Sequence, residues 1–189
     1  MVDLEEQFTE IFRRHHEAVW RYCARRVGPD AAFDVAADSF LIAWRRLGEV
    51  PAGGGDVLPW LLGVARKVVA NEQRRRRRGD RLVAKLGQFA RAPAPVSGNY
   101  PDAGMALPDL VTAMRTLSLR DQEALQLVGW DGLSASEAAR VVGCSPSAMA
   151  NRIRRARQRL ETALDVSGER GVNADRNAPP HGEGVAYEN

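Results

Sequence analysis

The sequence predicts an all-α protein made of two small helical domains joined by a flexible linker, the second domain carrying a helix-turn-helix. Three observations carry this. Apolar residues recur at helical spacing in both halves, and no segment shows the strict alternation of a half-buried strand. Two stretches without periodicity, at 87–107 and 166–189, divide the 189 residues into domains at 1–86 and 108–165.

In the first domain Phe8, Phe12, Val19 and Cys23 mark one helix, which Gly28-Pro29-Asp30 ends. Phe33, Phe40, Trp44 and Leu47 mark the next. Pro51 to Gly55 (PAGGG) reads as a loop, and Pro59 suits the first turn of a third helix bearing Trp60, Val64 and Val68. That helix ends in five arginines, Arg74 to Arg78. The stretch QFARAPAPVSGNYPDAGMAL, with three prolines, two glycines and almost no charge, reads as a linker. Leu107, Leu110, Met114 and Leu117 then make a short helix, Arg120 to Val128 another, and GWDGL a turn. The tail from Val166 is poor in apolar residues and is expected to be disordered.

The most informative stretch is Ser134 to Leu160. Ser134 with Glu137 has the spacing of a capping box. Ala139 is small where two crossing helices approach, and Gly143 suits the left-handed residue that ends a helix. Ser145 can cap the second helix, with Pro146 at its first position. Met149, Ile153, Ala156 and Leu160 form its apolar stripe, while Arg152, Arg154, Arg155, Arg157 and Arg159 occupy the other faces. Such a helix fits the major groove of DNA: Ser145, Pro146, Ser147, Ala148, Asn151 and Arg152 would meet base edges and nearby phosphates. Arg154, Arg155 and the later arginines would mostly grip phosphate.

Charge and composition narrow the rest. Net charge is only +3, but residues 1–86 hold 16 basic against 12 acidic groups and the tail 2 against 4, so positive charge is local. Cys23 and Cys144 stand apart, and no His–Cys grouping has zinc spacing, so neither metal nor cofactor is expected. No nucleophile or carboxylate cluster of a DNA-cleaving enzyme is present, so an enzyme is not expected. No run nears the roughly 18 apolar residues of a membrane span, and Asp3, Glu5 and Glu6 are unlike a secretory signal. A cytoplasmic protein without membrane insertion is expected.

Four segments in order carry a family resemblance: FTEIFRRHHEAVWRYCARRV, AAFDVAADSFLIAWRRL, PWLLGVARKVVANEQRRRRR and the helix-turn-helix. The chain resembles the extracytoplasmic-function (ECF) sigma factors. The resemblance implies that core RNA polymerase and promoter DNA are its partners, with an anti-sigma factor as a further one. Asp34, Asp38, Phe40, Leu41, Trp44 and Arg45 would dock on the polymerase clamp. Trp60, Arg66, Lys67, Asn71, Arg74 and Arg75 would read and melt the −10 element, with the 51–58 loop taking a flipped base. The C-terminal helix would read the −35 element. The chain departs from the family pattern at Phe33, where an acid is common, and at Ala150, where a basic residue is frequent. The alternative reading is a helix-turn-helix regulator that never joins the polymerase.

Overall fold

The computed structural model describes residues 4–86 and 107–176, with side chains described over 4–80, save Gly54, and over 110–165. The expected linker therefore lies, but for Leu107, outside the described residues, as does the tail beyond Arg176. Seven α-helices and one 3-10 turn make up the described chain, without a strand. They are α1 (Leu4–Val27), α2 (Pro29–Arg45), the 3-10 turn (Leu47–Glu49), α3 (Gly54–Leu86), α4 (Leu107–Thr116), α5 (Leu119–Gly129), α6 (Ala135–Val142) and α7 (Pro146–Arg176).

Helix α1 opens on Glu5 and Glu6 and closes on Arg25 and Arg26, the charge order that its dipole favours. Its end is fixed by Gly28, at φ 84, whose amide donates to the Ala24 carbonyl at 3.0 Å, and Pro29 starts α2. Helix α2 buries Ala32, Val35, Ala36, Ser39, Phe40 and Ala43. These small side chains let α1 and α3 come close, and the Ser39 hydroxyl is satisfied by donating to the Val35 carbonyl at 2.6 Å. Of the stripe read from the sequence, Phe40 and Leu47 are buried, but Phe33 is 68% exposed and Leu47 falls in the 3-10 turn.

Helix α3 starts at Gly54, earlier than Pro59 suggested. The segment 51–58 is thus loop only to Gly53, and Val57 is already in the core. Pro59 is tolerated because it sits within the opening turns, where its missing amide removes at most one hydrogen bond. Buried Val57, Leu61, Ala65 and Val69 form the stripe facing α1 and α2. Cys23 lies in this core, where burial pushes its thiol up to about 12 and keeps it protonated.

In the second half α4, α5 and α6 pack on α7. Ser118 caps α5, its hydroxyl accepting from the Asp121 amide at 3.2 Å. Ser134 and Glu137 form the expected capping box: the Ser134 hydroxyl accepts from the Glu137 amide and the Glu137 carboxylate from the Ser134 amide. Those bonds from Ser134 hold the Glu137 carboxyl below its ordinary value. Gly143 ends α6 at φ 78, with its amide and that of Cys144 both donating to the Ala139 carbonyl. Gly143→Ala puts a Cβ on left-handed backbone and is expected to lower stability by about 1–2 kcal/mol, read as a fall in the urea midpoint at unchanged slope.

Two outcomes differ from the sequence reading. Helix α7 runs to Arg176, well into the segment expected to be disordered. An existing helix grows one residue at a time without a new nucleus, so a weakly apolar sequence can still extend it. The two helical domains are also in contact, which the sequence did not indicate: α6 packs on α3, and one hydrophobic cluster runs from Ile11 through Leu61 to Leu127, Val141 and Met149.

Candidate nucleic-acid interface

Helix α7 presents two opposed faces. Met149, Ile153 and Ala156 are buried against the rest of the domain, with Leu160 half-buried beyond them. Ser145, Pro146, Ser147, Ala148, Asn151, Arg154 and Arg155 are exposed, and Arg152 is half-buried beside them. The Ser145 hydroxyl accepts from the Ala148 amide at 3.2 Å, so the helix begins where the sequence placed it. The eight residues expected at the −35 element therefore share one helix start. Pro146 has no N–H and the Ala148 and Met149 amides are taken up by Ser145, so the side chains carry the reading of this face, and Asn151 can offer a paired donor and acceptor to adenine.

The arginines of α7 are not equivalent. Arg155 Nε donates to the Asn151 carbonyl of its own helix at 3.4 Å. Arg159 reaches across to α5, where its Nη1 donates to Asp121 Oδ2 at 2.6 Å, and residue Asp121 is buried. Arg159 thus ties α7 to α5 through one guanidinium nitrogen, although its side chain stays 60% exposed. Arg154 and Arg157 rim a groove of ≈ 490 Å³ whose floor includes Val128 and Ile153.

On the first domain, Lys67, Asn71, Arg74 and Arg75 are exposed along α3. Arg75 and Arg76 each donate an Nε–H to Glu72 at 2.8 Å, first Arg75 and then Arg76 drawing its carboxyl below the ordinary range. Arg76 also donates to the Val27 carbonyl at 2.8 Å, and Gln73 to the Arg26 carbonyl at 3.1 Å. These two bonds cap the end of α1, a role the sequence did not reveal. Trp60 is half-buried, with the Arg46 guanidinium 5.8 Å from its ring centroid. Arg66 is bidentate to Glu123 of α5, at 2.6 and 3.0 Å, and donating these hydrogen bonds to the carboxylate raises its pKa.

The residues expected to dock polymerase divide. Asp34, Asp38, Leu41 and Arg45 line a groove of ≈ 670 Å³ between α2 and α3, opposite Val68, Asn71, Arg75 and Arg78. Trp44 is 40% exposed and meets Phe8 edge-on at 5.0 Å. Phe40, at 5% exposure, is not a surface residue: it lies against Phe8 and Phe12 and shapes the patch from beneath.

Three further links join the domains. Arg25 and Arg26 both bond Asp131, Arg26 at 3.0 Å, and the Asp131 side chain is only 2% exposed. Arg140 of α6 meets Asp56 at 2.7 Å. No sequence signal announces such pairs, since Arg26 and Asp131 lie 105 positions apart.

A helical module with an exposed recognition helix, paired with a second that carries basic residues beside an aromatic one, defines a two-domain DNA-binding transcription protein. The family model of sigma-70 region 2 matches residues 11–79, and that of sigma-70 region 4 matches 108–160. The ECF RNA polymerase sigma factor SigC of Mycobacterium tuberculosis is 32% identical over 145 residues, covering 75% of each chain. The ECF sigma factor BldN of Streptomyces coelicolor is 32% identical over 148 residues, 76% of this chain but only 55% of that one. A solved structure of the sigma factor RpoE in complex with the anti-sigma factor NepR, from Bartonella quintana, is similar with a TM-score of 0.62 at 25% identity, covering 85% of this chain and 98% of that one. This chain belongs to the ECF group of RNA polymerase sigma factors.

Proposed function

We propose that the chain serves as an alternative sigma factor whose two domains divide one promoter between them. The groove of Asp34, Asp38, Leu41 and Arg45, with Trp44 beside it, docks the clamp of core RNA polymerase. Trp60, Arg66, Lys67, Asn71, Arg74 and Arg75 engage the −10 element, where an indole can stack on an unpaired base and guanidiniums hold the strand's phosphates. Strand opening is then driven by preferential binding of the single-stranded form, without bond chemistry, so the chain in this reading is not an enzyme and acts in the cytoplasm, where polymerase and DNA are. Helix α7 reads the −35 element from Ser145, Pro146, Ser147, Ala148, Asn151, Arg152, Arg154 and Arg155. The observation that carries this best is the exposed polar and basic start of α7 above a fully apolar underside.

The solved relative in complex with NepR supports an anti-sigma partner for this chain as well. The test is run-off transcription with purified core polymerase on a library of genomic fragments. Accurate starts sharing spaced −35 and −10 motifs are expected. Absence of starts, with no co-precipitation of core polymerase, would favour the regulator that works by occupancy alone.

A further inference from the structure

Between α2 and α3 the chain makes a 3-10 turn, Leu47–Glu49, with Arg46 at its start. In such a turn side chains three positions apart eclipse one another. Buried Leu47 pins the turn to the core, and the Glu49 amide donates to the Arg46 carbonyl at 2.8 Å. Arg46 and Glu49 therefore stand one above the other. Arg46 Nε donates to Glu49 Oε1 at 3.0 Å and Nη2 donates to Oε2, a fork-on-fork pair. The guanidinium carbon of this pair lies 5.8 Å from the ring centroid of Trp60.

Both side chains stay open to solvent, Arg46 at 40% and Glu49 at 56%. An exposed ion pair of this kind adds little to stability, so its consequence is orientation. The hydrogen bond from Arg46, with the charge of Lys67 as a smaller aid, holds the Glu49 carboxyl below its ordinary value. Glu49 is thus an ionised group that only accepts hydrogen bonds, beside an arginine that only donates them. The fork leaves Nη1 and the outer hydrogen of Nη2 turned away from the carboxylate.

A base stacked at this indole meets that acceptor next to that donor. Cytosine offers its N4 amine beside the N3 acceptor, and adenine its N6 amine beside the N1 acceptor. Thymine and guanine present the reverse order, a carbonyl oxygen beside a ring N–H. Acceptor then faces acceptor and donor faces donor. A site built to hydrogen-bond one pattern rejects a base that leaves its polar groups unpaired.

We propose that Arg46 and Glu49 are specificity-determining residues of the −10 site, which select an unpaired cytosine or adenine at Trp60 against thymine and guanine. This deepens the promoter reading above and rests on it. Glu49 accepts from the exocyclic amine, Arg46 donates to the ring nitrogen, and the indole holds the plane of the base.

The test uses the full chain assembled with core polymerase. Its probe is a promoter recovered by run-off, with one strand of the −10 region left unpaired and each position in turn set to cytosine, adenine, thymine or guanine. Anisotropy is expected to show one position where the amino bases bind about five- to 150-fold tighter than the keto bases, the range of one well-placed pair. Glu49→Gln keeps the shape but adds an amide donor, so that preference should fall close to unity. Arg46→Ala should lose the same preference, while both variants keep the parent's urea midpoint because the pair is exposed. A wild type indifferent to the base at every −10 position, or a preference that survives Glu49→Gln, would overturn the assignment. Starts in run-off without any base preference overturn it alone, whereas no starts at all overturn the promoter reading and this assignment with it.

Discussion

Replacing Met149 with alanine is expected to unfold the second domain in part and abolish protection of the −35 element. Met149 is fully buried where α6 crosses α7, in the cluster that includes Ala138, Val141 and Ile153. Cutting such a side chain back loses its transfer free energy and leaves a cavity, together about 2–5 kcal/mol. A domain of this size has only about 5–15 kcal/mol in hand, and small domains lie at the low end. The loss should appear as a urea transition well below that of the unaltered chain. Ala150→Ser, one position on and exposed, should leave both the transition and the footprint alone. If Met149→Ala melts with the parent, α7 is not held by this stripe.

What the sequence revealed followed how local the physics is. The helix-turn-helix was legible almost residue by residue, because the Ser134–Glu137 box, Gly143 and the Ser145 cap act across two to four positions. Helix α2 was legible as a helix, but its buried face only at Phe40. Phe33 and Trp44 drew attention as large apolar residues, yet the packed face is mostly alanine, valine and serine, which allow close approach, and the aromatics are left outside. Phe40 shows the reverse: a residue that resemblance put on the docking surface supports it from below. In α3 the stripe was read at its edge: Val64 is buried as expected, but Trp60 and Val68 are only half so, while Leu61, Ala65 and Val69, one position on, are fully in the core. Neighbouring positions lie 100° apart on a helix, enough to exchange core for rim.

The contacts between domains were invisible for a different reason. Arg25, Arg26, Arg66 and Arg140 look in sequence like any solvated arginine, and their carboxylate partners lie 57 to 106 positions away in the pairs hydrogen-bonded from Arg25, Arg26 and Arg66. Ion pairs of that kind are fixed by tertiary placement, which no local period encodes. The same holds for Arg159, which looked like a phosphate contact and pairs with Asp121.

That difference among the arginines of α7 makes the second large prediction specific. Asn151 is exposed one turn from the helix start and can make a bidentate contact to an adenine edge. Its loss should cost about 1–3 kcal/mol on the preferred −35 sequence, roughly five- to 150-fold, with little cost on a scrambled one. Arg157→Ala should weaken binding to both sequences alike and reduce the slope of log K against log salt by about 0.9, the value of one phosphate contact. Arg159→Ala should leave that slope unchanged and instead lower the urea midpoint, because it strands the buried Asp121 carboxylate. Measuring the three variants by anisotropy against preferred and scrambled duplexes, between 50 and 200 mM salt, separates base reading, phosphate grip and internal bracing. Identical slopes and identical selectivity for Asn151→Ala and Arg157→Ala would mean that α7 does not lie in the groove by its N-terminal turns, and the assignment of the −35 face to this helix would have to be abandoned.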